Sequence, residues 1–461
     1  MHRRVVITGI GTVCGLGVGA SAMWDALIAG HSAVRRTAGF DASGFASPYS
    51  AELPGFSARD HVPKHYRKAL KVMARDTEMA VACAKFAVED AGLLTNAVLP
   101  EDAPEGTATT YAPARVGCQI GAGLISAEVP ELAAAMSASV DSSTGDASAG
   151  GFSLAKWGGG GAANPGENAG MDNLTPLWLL KYLPNMLACH VTILHDARGP
   201  SNTITCSEAS GLLSIGESMR VIERGAADAC FSGSCESKIN PMGLLRIGFA
   251  DRLAPASAFS DAEPWNAVRP FDATARGGVL GEGGGILMLE CRETAHARGA
   301  RVRAELLGFG AGLSSTLNGG DDGEGLRGAI ESALDDAGCR ADEIDAIIPQ
   351  GAGALGPDRA ELAALRGVFG GGPGGGLSRV PMVTLAPMLG ECVAGAGGLA
   401  VAVGALAVAH QTLPARLHGG ECPTDVLAGA SPARDARLRR VLVCTSSLGG
   451  QAAAVVLAPS A

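Results

Sequence analysis

The run GPSNTITCSEASGLLSIG, residues 199–216, carries the first side chains whose types and spacing could do chemistry. A turn leads into a short β-rich stretch and then into a helical pattern, which places Cys206 and Glu208 at a strand-to-helix elbow. The free N–H groups and positive dipole end of a helix start draw a thiol there toward thiolate, a nucleophile, and hold a carboxylate there as an anion. Cys206 also reads as a small apolar filler of the strand end. Glu208 reads either as a cap on the helix or as a contact inside a pocket.

The elements around the elbow set the fold class. β-rich runs at residues 4–8, 116–120, 203–205, 228–232, 285–290, 346–348 and 441–445 alternate with helical patterns such as 75–91 and 212–224. That alternation indicates an α/β fold, and 461 residues with 47% hydrophobic side chains can fill at least two cores. A net charge of −10 without any basic stripe argues against nucleic acid as a partner. Twelve Cys without a CxxC pair are expected to be reduced thiols, and the N-terminus lacks the apolar core of a secretory signal, so a cytoplasmic location is expected. Residues 392–409 are apolar over enough length to cross a bilayer, but they are mostly Ala, Gly and Val, which suits a helix packed inside protein and predicts no membrane span. Residues 95–114, 137–170 and 370–376 read as surface insertions that stay mobile unless a partner orders them, and the Pro- and Ser-rich stretch 251–269 reads as a joint between two halves.

The segment from Ala197 to Ser237 resembles the nucleophile region of the β-ketoacyl synthases of fatty acid and polyketide synthesis. The likeness continues through VVITGIG near the start, PNMLACHVTILHDARGPS before the elbow, RPFDATARGGVLGEGGGILMLE and LGGQAAAVVL. It implies a thiolase-like fold: two similar βαβαβαββ halves, residues 1–255 and 256–461, in an α-β-α-β-α layered arrangement, each with a five-stranded sheet and a buried helix layer between the sheets.

The resemblance also implies which residues should do the chemistry, and they are absent. Counting forward from Gly199 and back from Ile215 and Gly216 puts Glu208 where the family has its acyl-accepting Cys. The His of the family's His-Gly-Thr motif is Gln350, with Asp358 still matching the later Asp; in the Lys-Ser-x-x-Gly-His motif the Lys is Ala386 and the His is Glu391. A carboxylate is a poor acyl acceptor, and carboxylates at Glu208 and Glu391 oppose the enolate that a His pair would stabilise.

The pattern is similar to that of chain length factors, ketosynthase-like subunits without the catalytic Cys, in which Gln is usual where this chain has Glu. The resemblance therefore implies an active ketosynthase as partner in a heterodimer, an acyl carrier protein bearing a phosphopantetheine-bound chain, and no cofactor or metal. It implies tunnel-wall positions at Leu124, Glu128, Leu177 and Trp178, with the bulky Trp178 ring the best stop for a growing chain. The competing expectations are malonyl-carrier decarboxylation, a residual acyltransferase activity, or a scaffold subunit without influence on length.

Overall fold

The computed structural model describes residues 3–100, 104, 106–140, 151–158, 170–315, 322–370 and 376–460. Nine strands carry its main sheet: β1 (Val5–Cys14), β2 (Val116–Gly121), β3 (Ser201–Ile204), β4 (Ala229–Ser237), β5 (Leu280–Cys291), β6 (Ala304–Leu313), β7 (Ala346–Ile348), β8 (Val441–Ser446) and β9 (Gln451–Ala458). Their order, β3-β2-β4-β5-β1 followed by β6-β9-β8-β7, is two similar arrays joined where Val5, Val6 and Ile7 pair antiparallel with Leu306, Glu305 and Ala304. Each array has the same directions, with β2 parallel to β4 and β7 parallel to β8, and antiparallel steps elsewhere towards the join. The first array has five strands; in the second the fifth place is reduced to a single bridge between Ile347 and Met382.

Six helices cover these arrays: α1 (Arg75–Ala91), α2 (Met186–His195), α3 (Ser210–Glu223), α4 (Glu324–Ala337), α5 (Leu355–Phe369) and α6 (Ala394–His410). Strand periodicity explains how they become five layers. In β5, Leu287 and Leu289 join the central core with α3 and α6, while Ile286 and Met288 join an outer core with α1 and α2. In β9, Val455 and Leu457 face the centre, while Ala454 and Val456 face α4 and α5. Both faces are covered, so these strands read as continuous apolar runs.

The expectation for residues 392–409 holds. They form α6 in the middle of the protein, and no described helix is long and apolar enough to cross a membrane. Their small side chains are a packing requirement: a Cβ on Gly397 would come within 3.0 Å of the Gly211 Cα on α3, and one on Gly211 within 2.8 Å of the Gly398 nitrogen.

Of the presumed insertions, the described part of 95–114 is tied down. The Thr95 hydroxyl meets buried His195 at 2.7 Å, and the Tyr111 hydroxyl donates to Glu290 at 2.5 Å. Within 137–170, Val140 bridges Phe152, and residues 141–150 and 159–169 lie outside the described residues, as do 371–375 of the third segment.

Candidate active site

β3 ends at Ile204, the backbone turns through Ser207 at φ 50°, and Glu208 points inward with only 2% of its surface exposed. Arg252, itself 8% exposed, donates through Nη1 to one carboxylate oxygen, and the Leu448 N–H donates to the other at 3.3 Å. Of the two readings of Glu208, the cap on the helix is therefore corrected. The N-cap of α3 is Ala209, and no side chain caps it. A tight turn at Ser207–Ala209 precedes the helix and aims the carboxylate away from its first N–H groups, toward Arg252. Cys206 donates its N–H to Ser210 Oγ at 2.8 Å, and burial pushes its thiol above the ordinary range, opposite to the shift a nucleophile needs.

The other three positions converge on the same place. Glu391 precedes α6; its Oε1 accepts the Val393 N–H at 3.0 Å and its Oε2 lies 3.5 Å from the Gln350 amide nitrogen. Burial and then the charge of Glu208 push its carboxyl up to about 7, against the opposing pull of Arg252. Gln350 follows β7 and accepts from Thr445 Oγ1 and the Ser446 N–H, both at 3.2 Å. Ala386 is 4% exposed in an apolar cluster with Val34, Tyr49, Val268 and Val279.

Beneath these lie two more buried acids. Glu361 accepts the N–H groups of Gln350 and Gly351 at 2.8 and 2.9 Å, and Asp358 accepts that of Phe271 at 2.8 Å. Burial pushes Glu361 up to about 8 and Asp358 to about 7.

The space left is small. A cavity of about 10 Å³ is lined by Glu208, Arg252, Glu391, Ile247, Leu253 and Val393, among others. A second, about 40 Å³, lies between Gln350, Ala386, Glu391 and Leu212. These volumes suit one or a few waters and not an acyl chain. Among the described residues, no histidine lines either cavity.

The raised acids fix a pH dependence. In the fold Glu391, Asp358 and Glu361 keep their protons up to about 7, 7 and 8, whereas the unfolded chain releases them near 4 to 4.5. The folded state binds more protons across that interval, so stability is full below it and is lost as pH rises through the folded values. Asp76, which burial pushes up to about 7, adds to this slope; buried His195, pushed down to about 3, opposes it by one proton below its ordinary value; and Asp228, held at about 2 by its hydrogen bond to Arg115, titrates below the window. The melting temperature should fall between about pH 5 and about pH 8, and Glu391→Gln should flatten part of that slope. A melting temperature that rises over the same interval would contradict these assignments.

The four positions expected to line a tunnel fall on two neighbouring segments. Leu124 and Leu177 are 60% and 64% exposed, and Glu128 lines an open cavity of about 720 Å³ with Lys181, Tyr182, Arg75 and Asp76. Trp178 is half-buried: its Nε1 donates to Glu131 at 3.0 Å, and its ring lies 5.1 Å from that of Tyr182. Tyr182 in turn donates to Glu131 at 2.6 Å and accepts the Glu128 N–H at 3.3 Å, which ties the two segments together. Burial alone would raise Glu131, but its bonds to Lys181, Tyr182 and Trp178 hold it below the usual carboxylate range.

Arg252 went unnoticed in the sequence because it stands in the stretch read as a joint, with no motif around it. Glu361 stood three residues beyond Asp358 without drawing notice, although two carboxylates at that spacing share a helix face.

Comparison with known proteins accounts for this architecture. The Beta-ketoacyl synthase N-terminal domain matches residues 2–295, and the Beta-ketoacyl synthase C-terminal domain matches residues 304–419. The chain is 31% identical to a putative polyketide beta-ketoacyl synthase 1 of Streptomyces halstedii, over 99% of this chain and 98% of that protein. It is 30% identical to the actinorhodin polyketide putative beta-ketoacyl synthase 1 of Streptomyces coelicolor, over 99% of this chain and 89% of that one. It is 28% identical to 3-oxoacyl-[acyl-carrier-protein] synthase 2 of Vibrio cholerae, over 89% and 87%. Among solved structures, the ishigamide ketosynthase/chain length factor superposes with a TM-score of 0.79 at 27% identity, covering all of both chains. Two thiolase-like arrays around α3 and α6, an elbow at Glu208 and full-length similarity to these proteins make the chain a member of the beta-ketoacyl synthase family.

Proposed function

We propose that this chain is a non-catalytic subunit that pairs with an active ketosynthase in polyketide or fatty acyl chain elongation and shapes the tunnel for the growing chain. The observation that carries this reading is the state of the elbow. A carboxylate stands at the acyl-accepting position, and Arg252 and the Leu448 N–H already occupy it. A thioester cannot form on it by the family's route, and an N–H that could have stabilised an oxyanion is consumed. Glu208, Gln350, Ala386 and Glu391 are in this reading fossil catalytic positions. Residues 1–255 carry the first of them and 256–461 the other three, although β5 returns to the first array.

Pairing is supported by an open sheet edge. β3 ends the sheet with Ser201 and Asn202 exposed, and unpaired strand edges are templates for association. Leu124, Leu177, Leu179 and Ile193 are large apolar side chains left exposed, a further mark of an interaction surface. In this reading Leu124, Glu128, Leu177 and Trp178 face the acyl chain at the subunit boundary, and the chain arrives on the phosphopantetheine arm of a carrier protein in the cytoplasm. Decarboxylation of a malonyl carrier needs a proton-active pair that Gln350 and Glu391 do not supply.

The test is co-expression with a ketosynthase that retains Cys and two His. The expected result is a stable heterodimer in which condensation needs both chains, and no carbon dioxide release from malonyl carrier by this chain alone. A homodimer without effect on condensation, or decarboxylation by the isolated chain, would overturn the proposal.

A further inference from the structure

The segment after β2 that presents Leu124 is held from beneath by a buried polar relay. Glu236, at the end of β4, is fully buried; one carboxylate oxygen accepts the Ala394 N–H at the start of α6 at 2.8 Å, and the other accepts from Lys238. Lys238 is itself only 4% exposed and donates to the Leu124 carbonyl at 2.7 Å. Two residues on, Asn240 donates to the Ser126 carbonyl at 3.2 Å while its Oδ1 accepts the Gly243 N–H at 2.7 Å. The fit leaves no slack: a Cβ on Gly123 would come within 1.8 Å of a Glu236 oxygen.

A buried lysine is costly to hold charged, and one whose bonds run to a carboxylate and a loop carbonyl is spent on fixing a position. The held backbone nevertheless carries a 60% exposed leucine. A loop pinned under an exposed apolar side chain is the arrangement needed to present that side chain at a fixed depth.

We infer that Lys238, anchored by Glu236 and assisted by Asn240, is a positioning residue for Leu124 and so helps determine which acyl chain length the paired ketosynthase releases. The inference rests on the function proposed above. It adds that the wall is set by a buried relay reaching from the start of α6, three residues beyond Glu391, to the loop, and not by surface side chains alone.

The experiment uses the co-expressed heterodimer and scores product length. Lys238→Met alone would strand the Glu236 carboxylate, so it is made together with Glu236→Gln. Asn240→Asp is the gentler companion, because Asp keeps the acceptor for Gly243 but cannot donate to Ser126. Both variants should pair normally and keep total turnover, while the ratio of the main product to its neighbours falls by about tenfold, a difference of about 1.4 kcal/mol in partition. Amide exchange over residues 122–128 should accelerate in both. If the double variant fails to fold, Asn240→Asp decides. Faster exchange with an unchanged product ratio would overturn the positioning role. Leu124→Ala separates the two ideas: if it leaves product length unchanged, the tunnel-wall reading itself fails, whereas a shift with Leu124→Ala and none with the relay variants defeats only the relay.

Discussion

Arg252→Ala should cost about 3–5 kcal/mol of folding stability, because it leaves the Glu208 carboxylate buried with one weak amide partner. Glu208 is 2% and Arg252 8% exposed, so neither charge can turn to solvent when the other is removed. Above about pH 7, where Glu391 gives up its proton, the loss grows, since Arg252 offsets the repulsion between the two carboxylates. Replacing both members, as Glu208→Gln with Arg252→Leu, should recover most of the stability, for an ion pair exchanged for neutral groups of similar size is often close to neutral. Denaturant unfolding of the single and double variants measures this directly. A single variant within about 0.5 kcal/mol of the wild type would show that the pair holds nothing, and the closed elbow would then need another explanation.

The prediction depends on a residue that the sequence did not reveal, and the reason is physical. Glu208 could be located because the turn at Gly199 and the Ile215–Gly216 pair frame it within one continuous strand, turn and helix. Arg252 reaches it from 44 residues away, through a stretch whose composition marks only a joint between two halves. Of the two readings left open for Glu208, the cap failed for a related cause: propensity places an acidic residue at a helix start, but a short tight turn moved the start to Ser210 and let the distant cation win.

The elements were legible to different degrees. Ala346–Ile348 and Arg75–Ala91 stand where apolar patterning puts them, while β6 carries no strand pattern in its sequence. Its sequence AELLGFGAGL places Gly308, Gly310 and Gly312 on the face toward α4, where a Cβ would meet helix carbonyl oxygens at 2.3, 2.1 and 2.1 Å. Packing against a helix removed the side chains that announce a strand. The relay through Lys238 was hidden in the same way, since ESKIN is unremarkable until β4 and the start of α6 are brought together.

Glu208→Cys should give a reactive thiol and no condensing enzyme. The introduced side chain would lie near Arg252 and the Leu448 N–H, a cation and a donor that favour thiolate, so it should titrate, followed by thiolate absorbance, well below Cys206, whose thiol burial pushes up. Carbon–carbon bond formation needs more, because the enolate of a decarboxylated malonyl group must be stabilised and Gln350 and Glu391 offer an amide and a carboxyl. Catalytic groups that act as a unit are not additive, and loss of one member typically removes a factor of about 10⁴ to 10⁶. Condensation by the Glu208→Cys chain without a partner should therefore stay at background, measured as acyl chain extension on a carrier protein. Adding Gln350→His, Ala386→Lys and Glu391→His is the change expected to lift it, within the limit set by cavities of about 10 and 40 Å³. Extension by the single variant alone would mean that the remaining groups still suffice for the reaction, and the chain would have to be read as an enzyme silenced at one position.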